Sequence, residues 1–371
     1  MKLPVLRWAA LMVVAASLLT GCAGTAPAPT DGPEPTTTSP SSPMRTPTAA
    51  PGASGDGFVV YDGNPVLSIG EPGSWDSGAV FNAQVVLHQG QYHMFYNGAD
   101  AEEGRVAIGH AASDDGRLFT KDSSNPILEG DERGFDAIQV SDGVALVEDG
   151  TWVLYYNASA GPGPGRAIGR ATAASPTGPW SRRMEPVLRS GEFGAWDGGF
   201  ITSQSVIRTE EGYVMYYIGG PGQAGQPARI GRAMSPDGLI WTKYDDPDTV
   251  EPPFAESDPV LQTGPSDSWD SQSIWGCSVL RTGDGWEMFY AASRANVVQV
   301  GYATSTDGIE WTRHEENPVL ASEDDPAQGE REVSILESPT SVVSDSTYFL
   351  YYDYGLPAGG IGLAMGTARA E

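Results

Sequence analysis

Short apolar and aromatic runs alternate with Gly- and Asp-containing turns along most of the chain. Between residues 64 and 122, four such runs follow one another: Val85–Leu87, Tyr92–Tyr96, Val106–Ala111 and Leu118–Lys121. Runs this short, rich in β-branched and aromatic residues, are typical of strands rather than helices. The pattern therefore predicts a unit of four strands.

The same order of parts occurs five times. Tetrads similar to Asn-Pro-Val-Leu begin at Asn64, Asn125, Glu185, Asp258 and Asn317, and subtraction gives spacings of 61, 60, 73 and 59 residues. A period of this size indicates an array of equal supersecondary units, and four strands per unit are typical of a propeller blade. We therefore expect an all-β fold, a five-bladed β-propeller with four-stranded antiparallel blades.

The two ends of the array predict how the ring closes. The fifth repeat ends with the run from 360 to 369 and lacks a fourth strand, whereas the segment from 58 to 61 precedes the first tetrad as a surplus strand. We expect this N-terminal strand to complete the last blade, because that pairing removes an exposed sheet edge. An open repeat array is the alternative.

The first residues have the pattern of a secretion signal. Lys2 and Arg7 precede an apolar run from Trp8 to Leu19, which is too short to span a membrane comfortably. The following Leu-Thr-Gly-Cys, ending at Cys22, resembles the bacterial lipobox, and this resemblance implies that Cys22 becomes a lipidated N-terminus. A plain secretory signal with a chance Cys is the alternative.

Three segments follow from this pattern. Residues 1–21 are the predicted lipoprotein signal peptide, and residues 22–56, rich in Pro, Thr and Ser, are a predicted disordered tether behind the lipidated Cys. Residues 57–371 form the predicted propeller. We expect a monomer outside the cytoplasm, anchored to the membrane through the lipid. Cys277, in an apolar inner strand, is expected to be buried and inert.

Charge narrows the class of partner. The formal net charge is −27, and removal of Lys2 and Arg7 with the signal gives −27 − 2 = −29. So acidic a protein is repelled by nucleic acid and by anionic lipid heads, so neutral or cationic ligands fit better. No cofactor is predicted. The acidic insertion from 245 to 258 could bind Ca²⁺, but it lacks the Asp-x-Asp-x-Asp-Gly order, which favours a solvated loop.

Every repeat carries a carboxylate at one position. The acids that follow the aromatic residue of the Trp-Asp pair are Asp76, Asp136, Asp197, Asp270 and Glu332. A residue present in every blade is best explained by the structure of the blade, for example by accepting backbone N–H bonds in a turn.

Positions that differ between blades are the functional candidates. Five and six residues after the conserved acid, the pairs are Phe81-Asn82, Ser141-Asp142, Thr202-Ser203, Trp275-Gly276 and Glu337-Ser338. In a propeller this end of the inner strands surrounds the central channel, so a small-molecule site is expected there. The expected substrate-binding residues are Asn82, Phe81, Ser141, Thr202, Ser203, Gln204, Trp275 and Ser338.

The repeats, the Asn-Pro-Val-Leu and Trp-Asp signatures and the aromatic second strand resemble the five-bladed glycoside hydrolases: the arabinanase and xylosidase, invertase and levansucrase, and mannoside phosphorylase families. In these families acidic residues at the inner-strand mouths act as acid and as base or nucleophile. The resemblance implies that Glu337, in Glu-Ser-Pro, is an acid and Asp142 its partner. Asn82 stands in the Asp column, and the order around the ring is reversed relative to the family.

Two hypotheses follow for the function. The first is a glycosidase-like surface lipoprotein in which Glu337 and Asp142 share the cleavage of a glycosidic bond. The second is a propeller that binds a glycan or another ligand without catalysis, which Asn82 favours. Trp275, Phe81 and Tyr354 could stack on a sugar face or pack in the core. His110 could face the channel, and the four His residues have no metal-ligand spacing.

Overall fold

The computed structural model describes residues 58–321, apart from 103, 132–133, 162–165, 224, 284 and 296, together with 334–338, 347–354 and 359–367. The side chains of 203, 334–338, 354 and 367 are outside this description. The predicted signal peptide and tether, Cys22 and Glu332 lie outside the described residues, so those predictions stay predictions.

The described residues form five antiparallel sheets. Blade one contains β3 (Ala79–His88), β4 (Gln91–Ala99), β5 (Val106–Ser113) and β6 (Thr120–Lys121). Blade two contains β7 (Gln139–Glu148), β8 (Thr151–Ser159), β9 (Ala167–Ala173) and β10 (Ser181–Arg182). Blade three contains β12 (Phe200–Thr209), β13 (Gly212–Gly220), β14 (Arg229–Ser235) and β15 (Thr242–Lys243). Blade four contains β17 (Ser273–Thr282), β18 (Gly285–Arg294), β19 (Val297–Ser305) and β20 (Thr312–Arg313).

Blade five joins the two ends of the chain. It consists of β21 (Ser334–Ser338), β22 (Thr347–Tyr354), β23 (Gly360–Thr367) and the N-terminal β1 (Val59–Val60). Val59 pairs with Met365 and Val60 with Ala364, which confirms that the first strand completes the last blade. The inner strands β3, β7, β12, β17 and β21 each contact the next, and β21 contacts β3. The ring is therefore closed, and the predicted five-bladed propeller is confirmed.

The tetrads attach one blade to the next. Parts of three of them form short strands, β2 (Leu67–Ser68), β11 (Leu188–Arg189) and β16 (Pro259–Leu261), which pair with β23, β9 and β14. Asn64 donates through Nδ2 to the Leu363 carbonyl and accepts the Leu363 N–H through Oδ1, and it also donates to the Tyr352 hydroxyl. Asn125 makes the same three contacts with Tyr96 and His110. The Asn side chain thus acts as one more residue of the sheet.

The repeated acid is structural, as predicted, but its partners differ from those expected. Asp76 accepts hydrogen bonds from the Tyr96 hydroxyl and from the Lys121 ammonium, rather than mainly from turn N–H groups. Blades two, three and four repeat this arrangement of Asp, Tyr and a fourth-strand cation, with Arg182, Lys243 and Arg313 as the cations. Burial, and secondarily the Asp76 carboxylate, raise the pKa of Tyr96 far above its usual range. The phenol therefore remains a donor.

Apolar side chains fill the seams between neighbouring blades. The cluster between blades one and two, for example, joins Phe95 and Ile108 of blade one to Val140, Trp152 and Leu154 of blade two. Cys277 is buried among the apolar residues of another such cluster, as expected. No helix in the described ranges is long and apolar enough to cross a membrane.

Candidate functional site at the mouth of the central channel

A break in strand register shapes the mouth end of the inner strands. The pairing of β3 with β4 shifts between Phe81 and Gln84, and that of β7 with β8 shifts between Ser141 and Val144. Within these bulges Asn82 and Asp142 have left-handed backbones, with φ of 50° and 52°. Asn and Asp tolerate this conformation better than other non-glycine residues, and bulges re-aim side chains next to functional sites.

Asp142 is the centre of a network that crosses three blades. Its Oδ1 accepts hydrogen bonds from Asn82 Nδ2 at 2.9 Å and Asn97 Nδ2 at 2.7 Å. Its Oδ2 accepts from Asn157 Nδ2 and from the Thr202 hydroxyl, the latter at 2.8 Å. A carboxylate has about four acceptor positions, and here four neutral donors occupy them. The carboxylate is therefore fixed in one orientation, with only 5% of the residue exposed.

The backbone of Asp142 is held as firmly as its side chain. Its N–H donates to Asn97 Oδ1, and its carbonyl accepts from Gln204 Nε2 at 2.7 Å. Gln204 is fully buried and its side chain supports the Asp142 backbone, and its predicted contact with substrate stays a prediction. Ser141 is likewise buried. Asn82 and Thr202, which are half-buried, are the network members that reach toward solvent.

A second carboxylate joins the network from blade five. Asp353 Oδ1 accepts the backbone N–H of Asn82 at 2.7 Å, and Asp353 is buried. Asn82 therefore lies between the carboxylates of Asp353 and Asp142, bonded to one through its backbone and to the other through its side chain. Asp353 was not among the site residues predicted from the sequence. The signal was present, because the residue after the aligned second-strand Tyr is Asn97, Asn157, Ile218, Ala291 or Asp353 and so differs between blades.

Aromatic residues also lie at the mouth ends of the inner strands of blades one and four. Trp275 is half-buried, packs against the core cluster that includes Phe58, and donates its indole N–H to Ser293 Oγ at 2.9 Å. Phe81 is half-buried against Ala79, Ala99 and Val106. The mouth thus combines amide, hydroxyl and carboxylate groups from blades five, one, two and three with partly exposed aromatic surface on blades one and four.

Glu337 differs from its expected register. The sequence alignment places it opposite the equivalent of Asn97, which is Asp353, but β21 pairs Glu337 with Tyr348. Eight residues separate β21 from β22, where two residues separate β3 from β4, so strand pairing is not fixed by a tight turn. The side chains of Glu337, Ser338, Ser203 and Tyr354 lie outside the described residues, and their predicted roles stay predictions.

Two further expectations are settled by the side chains. His110 does not face the channel: it is buried in the seam between blades one and two, in contact with His93. The insertion from 245 to 258 is not simply a solvated loop, because Trp196 donates to Ser257 Oγ and to the Pro253 carbonyl, and Thr249 bonds Asp258. Within the described ranges, no group of three or more His, Cys, Asp or Glu side chains is arranged to hold a metal ion.

Comparison with known proteins identifies the fold. No family model matches the sequence, and no curated protein matches it. Among solved structures, a glycosyl hydrolase from Bacteroides ovatus is similar, with 18% identity, a TM-score of 0.63, and coverage of 85% of this chain and 95% of that one. A β-1,2-mannobiose phosphorylase from Listeria innocua, in complex with β-1,2-mannobiose, has 14% identity, a TM-score of 0.62, and coverage of 84% and 96%.

A third similar structure comes from the GH130 family of mannoside phosphorylases, which contains glycoside hydrolases that target β-1,2 mannosidic linkages in Candida mannan. It has 18% identity, a TM-score of 0.62, and coverage of 85% of this chain and 96% of that one. The neighbours are thus mannoside phosphorylase and glycosidase-type propellers. The predicted resemblance to this group is confirmed at the level of fold.

Proposed function

We propose that this protein acts on glycans, as a glycoside hydrolase whose site is the mouth of the central channel. The observation that carries the proposal is the Asp142 carboxylate, held in one orientation by donors from three blades and joined through Asn82 to a second carboxylate, that of Asp353. An arrangement of this kind holds the carboxylate in place before substrate arrives, which is what preorganisation for binding or catalysis requires.

Two carboxyl groups are the groups that glycoside cleavage requires. One protonates the glycosidic oxygen as the bond to the anomeric carbon breaks, and the other accepts a proton from the attacking water or attacks the carbon itself. Such groups are separated by roughly 5–10 Å. In this protein Asn82 lies between two carboxylates, bonded to Asp353 through its backbone N–H and to Asp142 through its side chain. Glu337 remains the candidate acid that the sequence favours, in the same blade as Asp353.

The chemistry of the mouth fits a neutral, hydroxyl-rich ligand. Asn82 and Thr202 are half-buried and can exchange their bonds to Asp142 for bonds to sugar hydroxyls. Trp275 and Phe81 offer flat apolar surface of the kind that stacks on a sugar ring. The formal net charge of −27 disfavours anionic ligands.

Binding without catalysis is the second candidate, and one observation favours it. All four acceptor positions of Asp142 are occupied by protein donors, so the carboxylate can attack or take a proton only after Asn82, Asn97, Asn157 or Thr202 releases it. A glycan bound to Asn82 and Thr202 needs no reaction at the Asp142 carboxylate, which Asn97 and Asn157 would still hold.

The test is turnover of a panel of aryl glycosides and oligosaccharides that includes β-1,2-mannobiose, with and without inorganic phosphate because similar structures include phosphorylases. Asp142→Asn, Asp353→Asn and Glu337→Gln are compared with the unchanged protein. Hydrolysis lost in Asp142→Asn and in one of the other two supports the enzyme and identifies the second carboxyl. Binding without turnover supports the second candidate, and neither binding nor turnover across the panel rejects both.

The proposal includes a location. The lipobox-like sequence ending at Cys22 and the tether of residues 22–56 support a protein held outside the cytoplasm by a lipid anchor. A tethered propeller would keep its site accessible to glycans beyond the membrane surface.

A further inference from the structure

Two histidines are buried in contact with each other between blades one and two. His93 Nδ1 and His110 Nε2 are 3.1 Å apart, and the two rings stack at an interplanar angle of 26°. His93 is 7% exposed and His110 3% exposed. One imidazole donates and the other accepts, so a neutral pair satisfies this contact with one shared proton. His110 Nδ1 has no hydrogen-bond partner among the described residues.

The pair packs directly on blade two. The rings of Trp152 and His93 meet edge to face with their centroids 4.9 Å apart, and the Phe95 ring contacts both His110 and Trp152. Trp152 is an interior residue of the cluster that joins the two blades. Any charge or displacement at the histidines therefore acts on the seam itself.

The same seam positions Asp142. Asn82 and Asn97, which hold Asp142 Oδ1, belong to blade one, while Asp142 belongs to blade two. The next residue, Gly143, packs so closely against Ile108 that an added Cβ would lie 3.2 Å from its side chain. Ile108 is two residues from His110 on β5, so both side chains point to the same face of the sheet. Gly143, which follows Asp142, therefore packs on the face of β5 that carries His110.

The charged and titratable groups around the pair do little to stabilise a protonated imidazole. His88 on β3 lies beside Trp152 and disfavours charge on His93. Asp122, after β6, is the carboxylate that favours charge on His110, and its Oδ1 already accepts two bonds from Ser124. Trp152 and Trp180 on blade two are uncharged. Burial, and then His93, lower the pKa of His110 to about 4, and burial followed by His88 lowers that of His93.

We propose that the His93–His110 pair is a pH-sensitive latch on the seam between blades one and two, which holds Asp142 in place while neutral and loosens the seam when protonated. The inference does not depend on what the mouth binds. The unfolded chain has ordinary His side chains with a pKa of about 6.5, so it takes up protons before the folded protein does. The stabilisation is therefore complete above about pH 6.5 and is lost as the pH falls toward 4.

The test compares the full chain with the double variant His93→Val/His110→Leu. Val is the equivalent of His93 in blade two, and Leu is the equivalent of His110 in blade five. Unfolding equilibria are measured at pH 7 and pH 4.5. On the proposal, acidification raises the unfolding constant of the unchanged protein about 50-fold more than that of the variant, from the His110 shift alone. His314→Gln, at a partly exposed His, should keep the full acid sensitivity.

Two further measurements keep the test decisive if the double variant fails to fold. His110→Tyr introduces the residue found at the equivalent position of blade four, Tyr302. It should also reduce the dependence of the unfolding constant on acid. Hydrogen exchange, corrected for the intrinsic rate at each pH, gives the free energy of local opening. Between pH 7 and pH 5 this free energy should fall more in β7, which carries Asp142, than in β17 of blade four. A variant with unchanged acid sensitivity, or imidazole NMR titrations at the ordinary His pKa for both residues, would overturn the proposal.

Discussion

Asn82 of blade one donates its side-chain amide to Asp142 of blade two at 2.9 Å, and both residues have the same left-handed backbone conformation. They are 60 residues apart and occupy equivalent positions in successive repeats. The ring brings the equivalent bulges of neighbouring blades side by side. Because one bulge has Asn and the next has Asp, an amide donor faces a carboxylate acceptor. Asn82 is thus a structural partner of the acid, which explains why an amide and not a carboxylate occupies this position in blade one.

Asp142→Asn should weaken the protein as well as the site. The new amide would place N–H groups against donors such as Thr202, so we expect a loss of about 2–4 kcal/mol in the free energy of unfolding. Chemical denaturation measures it. Asp149→Asn is the matched control, because Asp149 has a φ of 50° but is exposed in the hairpin turn, and it should change stability by under about 0.5 kcal/mol. Equal effects of the two substitutions would remove Asp142 from the centre of the network.

Asn64→Ala should open the ring at its closure. The substitution removes the side-chain bonds to Leu363 and to the Tyr352 hydroxyl, so the Leu363 N–H loses its acceptor, while the Leu363 carbonyl still accepts the Tyr61 N–H. We expect a cost of about 1–3 kcal/mol and faster hydrogen exchange in β23.

Asn125→Ala is the control for closure, since it removes the same three contacts between blades one and two. It should cost a similar free energy without accelerating exchange in β23. Slow exchange in β23 of the Asn64→Ala protein would mean that the pairing of Val59 and Val60 closes the ring without this side chain.

Lys243→Met should be among the most destabilising substitutions outside the core. It leaves the Asp197 carboxylate, which is fully buried, without its cation, and an uncompensated buried charge costs about 3–5 kcal/mol. Lys243→Arg should recover most of this loss, because Arg182 and Arg313 serve the equivalent acids. Arg189→Met, in an exposed ion pair with Glu185, should have almost no effect. If the melting temperatures of Lys243→Met and Arg189→Met coincide, the ion pair is not structural.

Cys22→Ala tests the predicted anchor. We expect the unchanged protein to incorporate a labelled fatty acid and to partition with membranes, and the variant to do neither. Cys277→Ala is the control, because Cys277 is buried in the propeller and its loss should leave both properties unchanged. Fatty-acid labelling that persists in Cys22→Ala would contradict the prediction.

The fold was predictable from the sequence because each blade repeats its own local signals. The surplus strand at 58–61 and the missing strand after β23 were both visible, and their pairing follows from the count of blades. The position of Asp142 at the mouth followed from the same alignment. The occupation of all four Asp142 acceptor positions could not be predicted in this way. The four side-chain donors lie 15, 45 and 60 residues away in sequence and meet only when three blades close around Asp142.

Asp353 and Glu337 show where the repeat fails as a guide. Asp353 belongs to a variable column at the end of the second strand, and only the ring brings blade five beside Asn82. The repeat alignment places Glu337 opposite Asp353, as Phe81 lies opposite Asn97 in blade one, but Glu337 pairs with Tyr348. His110 was misplaced because alternation along β5 does not say which blade its side chain meets.

The most direct test of the central claim is the hydrogen-exchange footprint of the saccharide that binds most tightly in the glycan panel. The account predicts protection in the mouth ends of the inner strands, at residues 79–84, 139–143 and 200–204, and its loss in Asp142→Asn but not in Asp149→Asn. Protection confined to the hairpin ends of the same strands, or a footprint unchanged by Asp142→Asn, would contradict it.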